Sequence, residues 1–208
     1  NGCVSTDKII IVDVKPLARP NFTFPAVSCL PNANVSFTNT STIPDGTQAA
    51  FTYLWNFGDP GSGPVNTSTG MNPSHTYVGT GPYNVNLQVT SGAGCVHDTT
   101  IALNSIHPQP LASFTTDKVD VCIGGTISFT NTSNPMDGTL QSLNWDMADG
   151  TIRTAPTFTY TYAVTGSYNV SLYIINSFNC RSTLFTKMVS VNPFPPVNAG
   201  PSKFMLEG

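Results

Sequence analysis

One pattern of residues occurs twice in the 208-residue chain, and this duplication limits what the chain can fold into. The matched residues are Cys29 and Cys122, Trp55 and Trp145, Tyr77 and Tyr162, Tyr83 and Tyr168, and Cys95 and Cys180. The first cysteine recurs after 93 residues and the first tyrosine after 85, so the copies differ by a few residues of loop. A unit of about 90 residues is a small domain, whereas solenoid units have ~20–50 residues. The sequence therefore predicts two domains of the same kind.

The two ends of the chain resemble parts of further copies. Gly2-Cys3 and the apolar run that follows it match Gly94-Cys95 and its own following run. The expected segments are a terminal strand of a preceding repeat at 1–18, domain 1 at 19–108, domain 2 at 109–194, and the start of a following module at 195–208.

The composition is typical of exported β-rich proteins. Charged residues make up 9% of the chain, against roughly 25% in ordinary soluble domains, and Ser, Thr and Asn take their place. Only 8 Lys and Arg residues are present and the net charge is −3, which excludes a basic surface for nucleic acid. No apolar run approaches the ~20 residues of a membrane span, so we expect no membrane insertion and an extracellular or cell-surface location.

The cysteines are expected to form one disulfide bond within each domain. Cys29 with Cys95, and Cys122 with Cys180, occupy matching positions in the two copies, and the partner of Cys3 would lie in an upstream copy. Each bond would close a loop of roughly 60 residues and stabilise the fold by about 4 kcal/mol in the chain-entropy model. Paired cysteines indicate an oxidising compartment. Buried free thiols are the alternative, since no C-x-x-C or mixed Cys/His spacing indicates metal or redox chemistry.

The strand pattern predicts an all-β protein. Apolar residues alternate with polar ones through Tyr83 to Val89, and the second copy repeats the alternation from Tyr168 to Ile174. This period of two is typical of a long strand with one buried face. About seven short strands per copy, with a tryptophan on a middle strand, favour two immunoglobulin-like β-sandwiches. Trp55 and Trp145 are therefore expected in the cores, and surface platforms for sugars are the alternative.

Three segments of the first copy carry a family resemblance. They read Trp-Asn-Phe-Gly-Asp at 55–59, Asn-Pro-Ser-His-Thr-Tyr at 72–77 and Gly-Pro-Tyr-Asn-Val at 81–85. These segments resemble the W-D-F-G-D-G, N-P-x-H-x-Y and G-x-Y-x-V signatures of the polycystic kidney disease (PKD) domain. The cysteine arrangement is similar to that in PKD arrays of large secreted bacterial surface proteins, especially those of Bacteroidetes. The second copy departs from the signatures, with Met147-Ala148 in place of Phe-Gly and Tyr160 in place of His75.

The resemblance implies both a fold and a role. It implies PKD β-sandwiches that serve as extracellular spacers or adhesive modules within larger proteins. It also implies structural roles for the motif residues, which are Trp55, Asp59, His75, Tyr77 and Tyr83 in the first copy and Trp145, Asp149, Tyr162 and Tyr168 in the second.

The carboxylates give little support to catalysis or metal binding. The only glutamate is Glu207, so neither copy holds a Glu-containing acid and base pair of the kind that glycosidases use. Asp59, Asp146 and Asp149 are candidate calcium ligands, but Ca²⁺ takes 6–8 oxygens and each turn offers one or two carboxylates. Capping of backbone N–H groups in the turn is the simpler role for them. We expect no enzymatic activity, no cofactor and no metal.

One difference between the copies marks a candidate ligand patch. If Tyr168, Leu172 and Ile174 point inward, alternation directs Tyr173 and Ile175 outward. The first copy has polar residues at these outward positions. The patch is either packed under a loop or a neighbouring domain, or it is a small adhesive surface, since exposed apolar clusters often mark contact sites.

Two functions of different classes follow from the sequence. The first is a non-catalytic extracellular spacer whose partners are neighbouring domains of the same polypeptide. The alternative is a recognition module for extracellular polysaccharide or matrix protein, which requires exposed aromatic or amide groups on a sheet face. A part of a hydrolase's catalytic domain is disfavoured by the missing acid pair.

Overall fold

The computed structural model describes residues 12–196. The chain divides into two compact units between His107 and Pro108, called domain 1 and domain 2. Both are built from strands, so the predicted all-β fold is confirmed. The predictions for residues 1–11 and 197–208 lie outside the described residues.

Domain 1 contains ten strands and two short 3₁₀ helices. The strands are β1 (Phe22–Thr23), β2 (Ser28–Cys29), β3 (Ala33–Ser36), β4 (Thr38–Asn39), β5 (Thr52–Asn56), β6 (Thr67–Ser68), β7 (Ser74–Tyr77), β8 (Tyr83–Thr90), β9 (Val96–Leu103) and β10 (Ile106–His107), and the helices are Gln48–Ala50 and Pro60–Asn66. One sheet has the order β6-β5-β8-β9. The opposite layer consists of the pairs β3-β7 and β1-β4, and β2 pairs in parallel with β10.

Domain 2 repeats this plan with eight strands. They are β11 (Phe114–Thr116), β12 (Asp120–Cys122), β13 (Ile127–Asn131), β14 (Leu140–Asp146), β15 (Ile152–Arg153), β16 (Thr157–Tyr160), β17 (Gly166–Asn176) and β18 (Phe185–Asn192). A three-stranded sheet, β11-β13-β16, faces a five-stranded sheet, β12-β18-β17-β14-β15. As in domain 1, the short strand with the first cysteine, β12, pairs in parallel with the last strand of the domain.

Alternation along the long central strands builds each core. In β8 the residues Val85, Leu87 and Val89 are fully buried, and the residues between them are partly exposed. In β17 the residues Val170, Leu172 and Ile174 are fully buried, and of the residues between them Tyr173 is partly exposed and Ser171 is 9% exposed. Trp55 and Trp145 are fully buried at the middle of the two cores. Burial of one face per sheet is what a sandwich requires, and the predicted strand periodicity is confirmed.

Both predicted intradomain disulfide bonds are wrong. Cys29 and Cys180 are disulfide-bonded, whereas Cys95 and Cys122 are free thiols. Neither the pair Cys29–Cys95 nor the pair Cys122–Cys180 therefore forms.

The physical reason is that the two cysteines of each domain lie at opposite ends of its last long strand. Cys29 pairs with His107, beyond the C-terminal end of β9, while Cys95 directly precedes β9. Cys122 pairs with Asn192 at the end of β18, while Cys180 lies before that strand begins. Eight residues of strand span about 26 Å at ~3.3 Å per residue. The Cα atoms of a disulfide lie only ~4.4–6.8 Å apart.

Candidate functional site

The residues of the family signature surround one turn in each domain. We call this turn the motif turn; it comprises residues 56–59, beginning with the last residue of β5, and residues 146–149, beginning with the last residue of β14. Its first residue holds it closed: Asn56 Oδ1 accepts the N–H of Gly58 at 2.9 Å, and Asp146 Oδ1 accepts the N–H of Ala148 at 2.8 Å. The carboxylate of Asp146 thus caps a backbone N–H group, as Asx residues do in turns.

The third residue of the motif turn has a positive φ in both copies, at +71° for Gly58 and +64° for Ala148. In domain 1 a Cβ at this position would lie 2.5 Å from the carbonyl oxygen of Asn84, so glycine is required there. Domain 2 has alanine at the matched position in the same left-handed conformation. The departure from Phe-Gly to Met-Ala therefore leaves the shape of the turn unchanged.

The last residue of the motif turn is a carboxylate that contacts a neighbouring ring. In domain 1, Asp59 Oδ2 lies 3.0 Å from His75 Nε2. The His75 ring is buried and stacks on Phe57, with 4.6 Å between the ring centroids. In domain 2, Tyr160 donates its hydroxyl hydrogen to Asp149 Oδ2 at 2.7 Å. The two partners are structurally equivalent rings, although one is imidazole and the other is phenol.

The equivalence of these rings follows from strand register. His75 pairs with Val35 in domain 1, and Tyr160 pairs with Ile127 in domain 2. Val35 and Ile127 are 92 residues apart, and the same offset separates the Asn-Thr-Ser run at 39–41 from its copy at 131–133. A histidine in a single copy is thus not a shared catalytic base, because the sister domain fills its position with a tyrosine that bonds the same carboxylate.

Asp149 is held in its ionised form by its surroundings. Burial by itself would raise the pKa of this carboxyl, but hydrogen bonds from the Tyr160 hydroxyl and from the backbone and side chain of Thr151 lower the pKa below its ordinary value. The Thr151 N–H donates to Asp149 Oδ1 at 3.0 Å. Both carboxylate oxygens are therefore occupied by donors within the domain.

A buried tyrosine closes each motif turn from the opposite sheet. Tyr77 donates to the carbonyl oxygen of Phe57 at 2.9 Å, and Tyr162 donates to that of Met147 at 3.0 Å. Burial, with a smaller contribution from the nearby aspartate, raises the pKa of both phenols well above its ordinary value. A phenol that stays protonated and donates to a backbone carbonyl has a structural task.

The two tryptophans are bonded inside the core and are not surface platforms. Trp55 Nε1 donates to the Gly70 carbonyl at 2.9 Å, and Trp145 Nε1 donates to the Ala155 carbonyl at 3.1 Å. Within residues 12–196 no group of three or more His, Cys, Asp or Glu side chains is arranged to hold a metal ion. No helix among these residues is long and apolar enough to cross a membrane.

The candidate patch at Tyr173 lies on the outer face of the five-stranded sheet. Tyr173 pairs with Asn144 and forms part of the floor of a shallow depression of about 340 Å³. The residues that line this depression, called the sheet groove, are Asn144, Trp145, Asp146, Ile152, Ser171, Tyr173 and Leu184. Ile152 and Leu184 are 60% and 55% exposed, so apolar side chains flank a floor of hydroxyl, amide and carboxylate groups.

Two features of this surface were not expected from the sequence. The guanidinium carbon of Arg181 lies 3.8 Å from the centre of the Tyr173 ring and covers it, a cation–π contact. Ile175 is half-buried, pairs with Ser142 and is not among the residues that line the sheet groove. Tyr173 thus lines the sheet groove and Ile175 does not, and the proposed contact role of both residues stays a prediction.

The matching face of domain 1 carries different side chains. Asn86, which occupies the position of Ser171, donates to Asp98 at 2.8 Å and to Thr100 at 2.9 Å. Gln88 occupies the position of Tyr173. On this face domain 1 combines polar side chains with the exposed Leu54, which pairs with Gln88, whereas domain 2 has the Tyr173 ring under Arg181 and two aliphatic side chains.

The sequence profile of the PKD domain matches residues 18–104 and 107–191, which is most of the chain. The chain belongs to the PKD domain family. This family is non-catalytic, and the two matched stretches correspond to the two sandwiches described above.

Relatives and solved structures give the PKD match its context. The chain is 26% identical over 189 residues to the pre-pro-metalloprotease PrtV of Vibrio cholerae serotype O1 (strain M66-2), covering 90% of this chain and 19% of PrtV. The crystal structure of the PKD1 domain from the same Vibrio cholerae protease is 25% identical, covers 40% of this chain and 98% of that domain, and has a TM-score of 0.36. The chain therefore spans about a fifth of the length of the curated relative that it matches, and only its PKD part.

A further solved structure is described as carbohydrate-binding modules from the beta-sandwich super family. It is 31% identical over 41% of this chain and 35% of that chain, with a TM-score of 0.39. Each of these two structural matches covers about 40% of the chain, roughly one of the two domains.

The bond between Tyr160 and Asp149 should make the stability of domain 2 depend on acid pH. Because the folded-state pKa of Asp149 lies below its unfolded value of about 3.9, the ionised carboxylate stabilises the fold above that pH, and this contribution is lost as the pH falls through the folded-state pKa. Tyr160→Phe removes one donor and should make domain 2 less dependent on pH below about 4. Urea unfolding followed between pH 2 and 6 measures the effect.

Tyr168→Phe is the matched control for this experiment. Its hydroxyl donates to the Val164 carbonyl rather than to a carboxylate, so its removal should shift stability by the same amount at every pH. An acid dependence that is identical in the wild type and in Tyr160→Phe would contradict the assigned role of this hydrogen bond.

Proposed function

We propose that the two PKD domains form a non-catalytic extracellular spacer in a larger multidomain protein. The observation that carries this proposal is the path of the chain through each domain. In domain 1 the chain enters where the Ala18 carbonyl contacts His97 Nδ1 at 2.9 Å, near the start of β9, and leaves at His107, beyond the end of β9. Entry and exit are therefore separated by the length of a strand, about 26 Å.

Domain 2 has the same directional path. Gln109 donates its side-chain N–H to the Arg181 carbonyl at 3.3 Å, before β18 begins. The chain leaves after Asn192, at the other end of β18. Each domain thus carries the polypeptide from one end of its sandwich to the other, and this is the property that a spacer module needs.

The hydrogen-bond partners of the signature residues also support a structural role. The signature carboxylates, phenols and indoles bond within their own domains, so none is left poised for proton transfer or nucleophilic attack. Disulfide bonds at Cys29 and Cys180 persist in oxidising compartments. Together with the low content of charged residues, they favour a secreted or cell-surface protein.

The partners of a spacer are its neighbouring domains. We propose that the parent polypeptide is a large surface or adhesin-like protein, and its origin in Bacteroidetes stays a prediction from the motif resemblance. A catalytic domain in the same polypeptide is equally compatible with this proposal, because a spacer holds its neighbouring domains apart whatever their activity.

Force spectroscopy tests the spacer role. A reductant is added so that no cross-link shortens the released length, and the chain is pulled by its two ends. We expect two separate unfolding steps, each releasing about 85 residues or roughly 27 nm once the folded length is subtracted, at ~0.36 nm per residue. Extension without discrete steps would contradict a spacer that stays folded under load.

A second candidate function is favoured by the sheet groove of domain 2. Its apolar sides, the Tyr173 ring and its floor of polar groups suit a ligand that has both C–H faces and hydroxyl groups, which is the character of a neutral polysaccharide. Asp146 and Arg181 at the surface have opposite charges, so the groove favours neither a polyanion nor a polycation. A second depression of about 370 Å³ continues along β14 and shares Asn144 with the first.

Glycan arrays probed with the intact chain test this second function. Tyr173→Ala should reduce the binding of neutral polysaccharides about tenfold, which is a loss of ~1.4 kcal/mol. Gln88→Ala is the matched control at the equivalent position of domain 1 and should leave binding unchanged. Binding that is absent in the wild type, or equal in both variants, would remove this candidate and leave the spacer proposal standing. Binding only to matrix proteins on a parallel array would also contradict it.

A further inference from the structure

Two cysteine positions recur in each domain, and the structure gives each position the same local backbone in both copies. We call Cys29 and Cys122 the strand cysteines, because each lies in the short strand that pairs in parallel with the end of the domain. The residue after each donates its N–H to the last paired carbonyl. Leu30 donates to His107 at 2.9 Å, and Ile123 donates to Asn192 at 2.8 Å.

The other position is equally well matched. Cys95 and Cys180, called the turn cysteines, end a tight turn before the last long strand. Their carbonyls accept N–H groups from Ser91 at 2.9 Å and from Asn176 at 3.1 Å. The same residues cap the turn with their side chains, since Ser91 Oγ accepts the N–H of Cys95 and Asn176 Oδ1 accepts that of Cys180. The residue before each cysteine has a positive φ in both copies.

One cysteine of each kind is bonded and one of each kind is free. Cys29 and Cys180 are disulfide-bonded, and Cys122 and Cys95 are free thiols. Because Cys122 has the backbone setting of the bonded Cys29, its own local structure does not prevent a bond. Cys122 is also exposed, so a partner sulfur can reach it.

The path of the chain shows which end of a domain carries which cysteine. The turn cysteine lies at the entry end, beside Gln109 in domain 2, and the strand cysteine lies at the exit end, beside Asn192. A copy of the domain that follows domain 2 in a polypeptide begins after Asn192, at the exit end of domain 2. Because the turn cysteine of that copy lies at its entry end, it is the cysteine that comes next to Cys122 at the exit end of domain 2.

We propose that Cys122 is a cross-link site that bonds covalently to the turn cysteine of a further copy of this domain. The bond joins unlike positions, so it is head-to-tail and can repeat along an array instead of closing a symmetric pair. By the same reasoning, Cys95 forms a disulfide bond with the strand cysteine of a preceding copy. The inference goes beyond the spacer proposal, because it concerns covalent linkage and holds whatever the array carries.

The chemistry requires an oxidant. The Cys122 thiolate attacks one sulfur of a disulfide such as oxidised glutathione, and one glutathione thiolate leaves. The turn-cysteine thiolate then attacks the Cys122 sulfur of the mixed disulfide and displaces the second glutathione. Two protein thiols thus lose two protons and two electrons, and one oxidised glutathione becomes two reduced ones.

The test appends a second copy of residues 109–194 directly after residue 194 of the chain, in place of the last residues. The extended chain is refolded in a glutathione buffer, free thiols are blocked with a maleimide, and the disulfides are mapped by mass spectrometry without reduction. We expect a peptide that joins Cys122 to the appended turn cysteine, and about tenfold less maleimide on Cys122 than in the 208-residue chain.

Two variants control the experiment. Serine in place of the appended turn cysteine should restore full labelling of Cys122, whereas serine in place of the appended strand cysteine should leave Cys122 protected. Circular dichroism verifies that each chain is folded. The proposal is overturned if Cys122 stays fully labelled in a folded extended chain, carries only glutathione, or bonds mainly to a second Cys122.

Discussion

A buried hydrogen bond between the two sheets of each sandwich is the interaction on which the remaining structure depends. A tyrosine at or just beyond the end of a strand in one sheet donates to a backbone carbonyl of the motif turn at the end of a strand in the other, from Tyr77 to Phe57 and from Tyr162 to Met147. A carbonyl buried without a partner would cost ~1–3 kcal/mol. The bond also fixes the direction in which the turn leaves the sheet, and this places the carboxylate of the motif beside its ring partner.

The framework is constant between the copies and the surfaces differ. The tryptophan, the tyrosine and the positive φ of the motif turn recur with the same partners. The ring that contacts the motif carboxylate is His75 in one domain and Tyr160 in the other, and the matched outward position of the central strand is Gln88 in one and Tyr173 in the other. Residues that hold the sandwich together are duplicated, while residues on its surface are free to diverge. A function shared by both domains therefore belongs to the framework, and a function of the surface belongs to one domain.

The sequence predicted the features that local periodicity encodes. Alternation from Tyr83 to Val89 located a central strand and its buried face, because side chains in a strand point alternately to the two faces. The burial of Trp55 and Trp145 followed from their place on the middle strand. The outward direction of Tyr173 followed from the same alternation in β17.

The sequence did not predict contacts that depend on how strands run in space. The disulfide pairing failed because matching positions in two copies say nothing about the distance between two positions in one copy, and here a whole strand separates them. Arg181 lies in a loop and its guanidinium covers the ring of Tyr173 in a strand. Sequence periodicity within one element does not encode a contact between two elements. Asp59 was expected to cap a backbone N–H, but its carboxylate contacts His75, and Asn56 caps the turn instead.

Native-state hydrogen exchange tests most directly the claim that the inter-sheet bond organises each sandwich. The amides of Phe57 and Met147 donate to the carbonyls of Asn66 and Thr151. The account predicts that they exchange as slowly as the amides of the central strands β8 and β17, because the tyrosine bond to the carbonyl of the same residue keeps the motif turn closed until its domain unfolds. Exchange of these two amides at the rate of the exposed turn at 44–47 would show that the turn opens on its own. The framework would then have to be held by the strands alone.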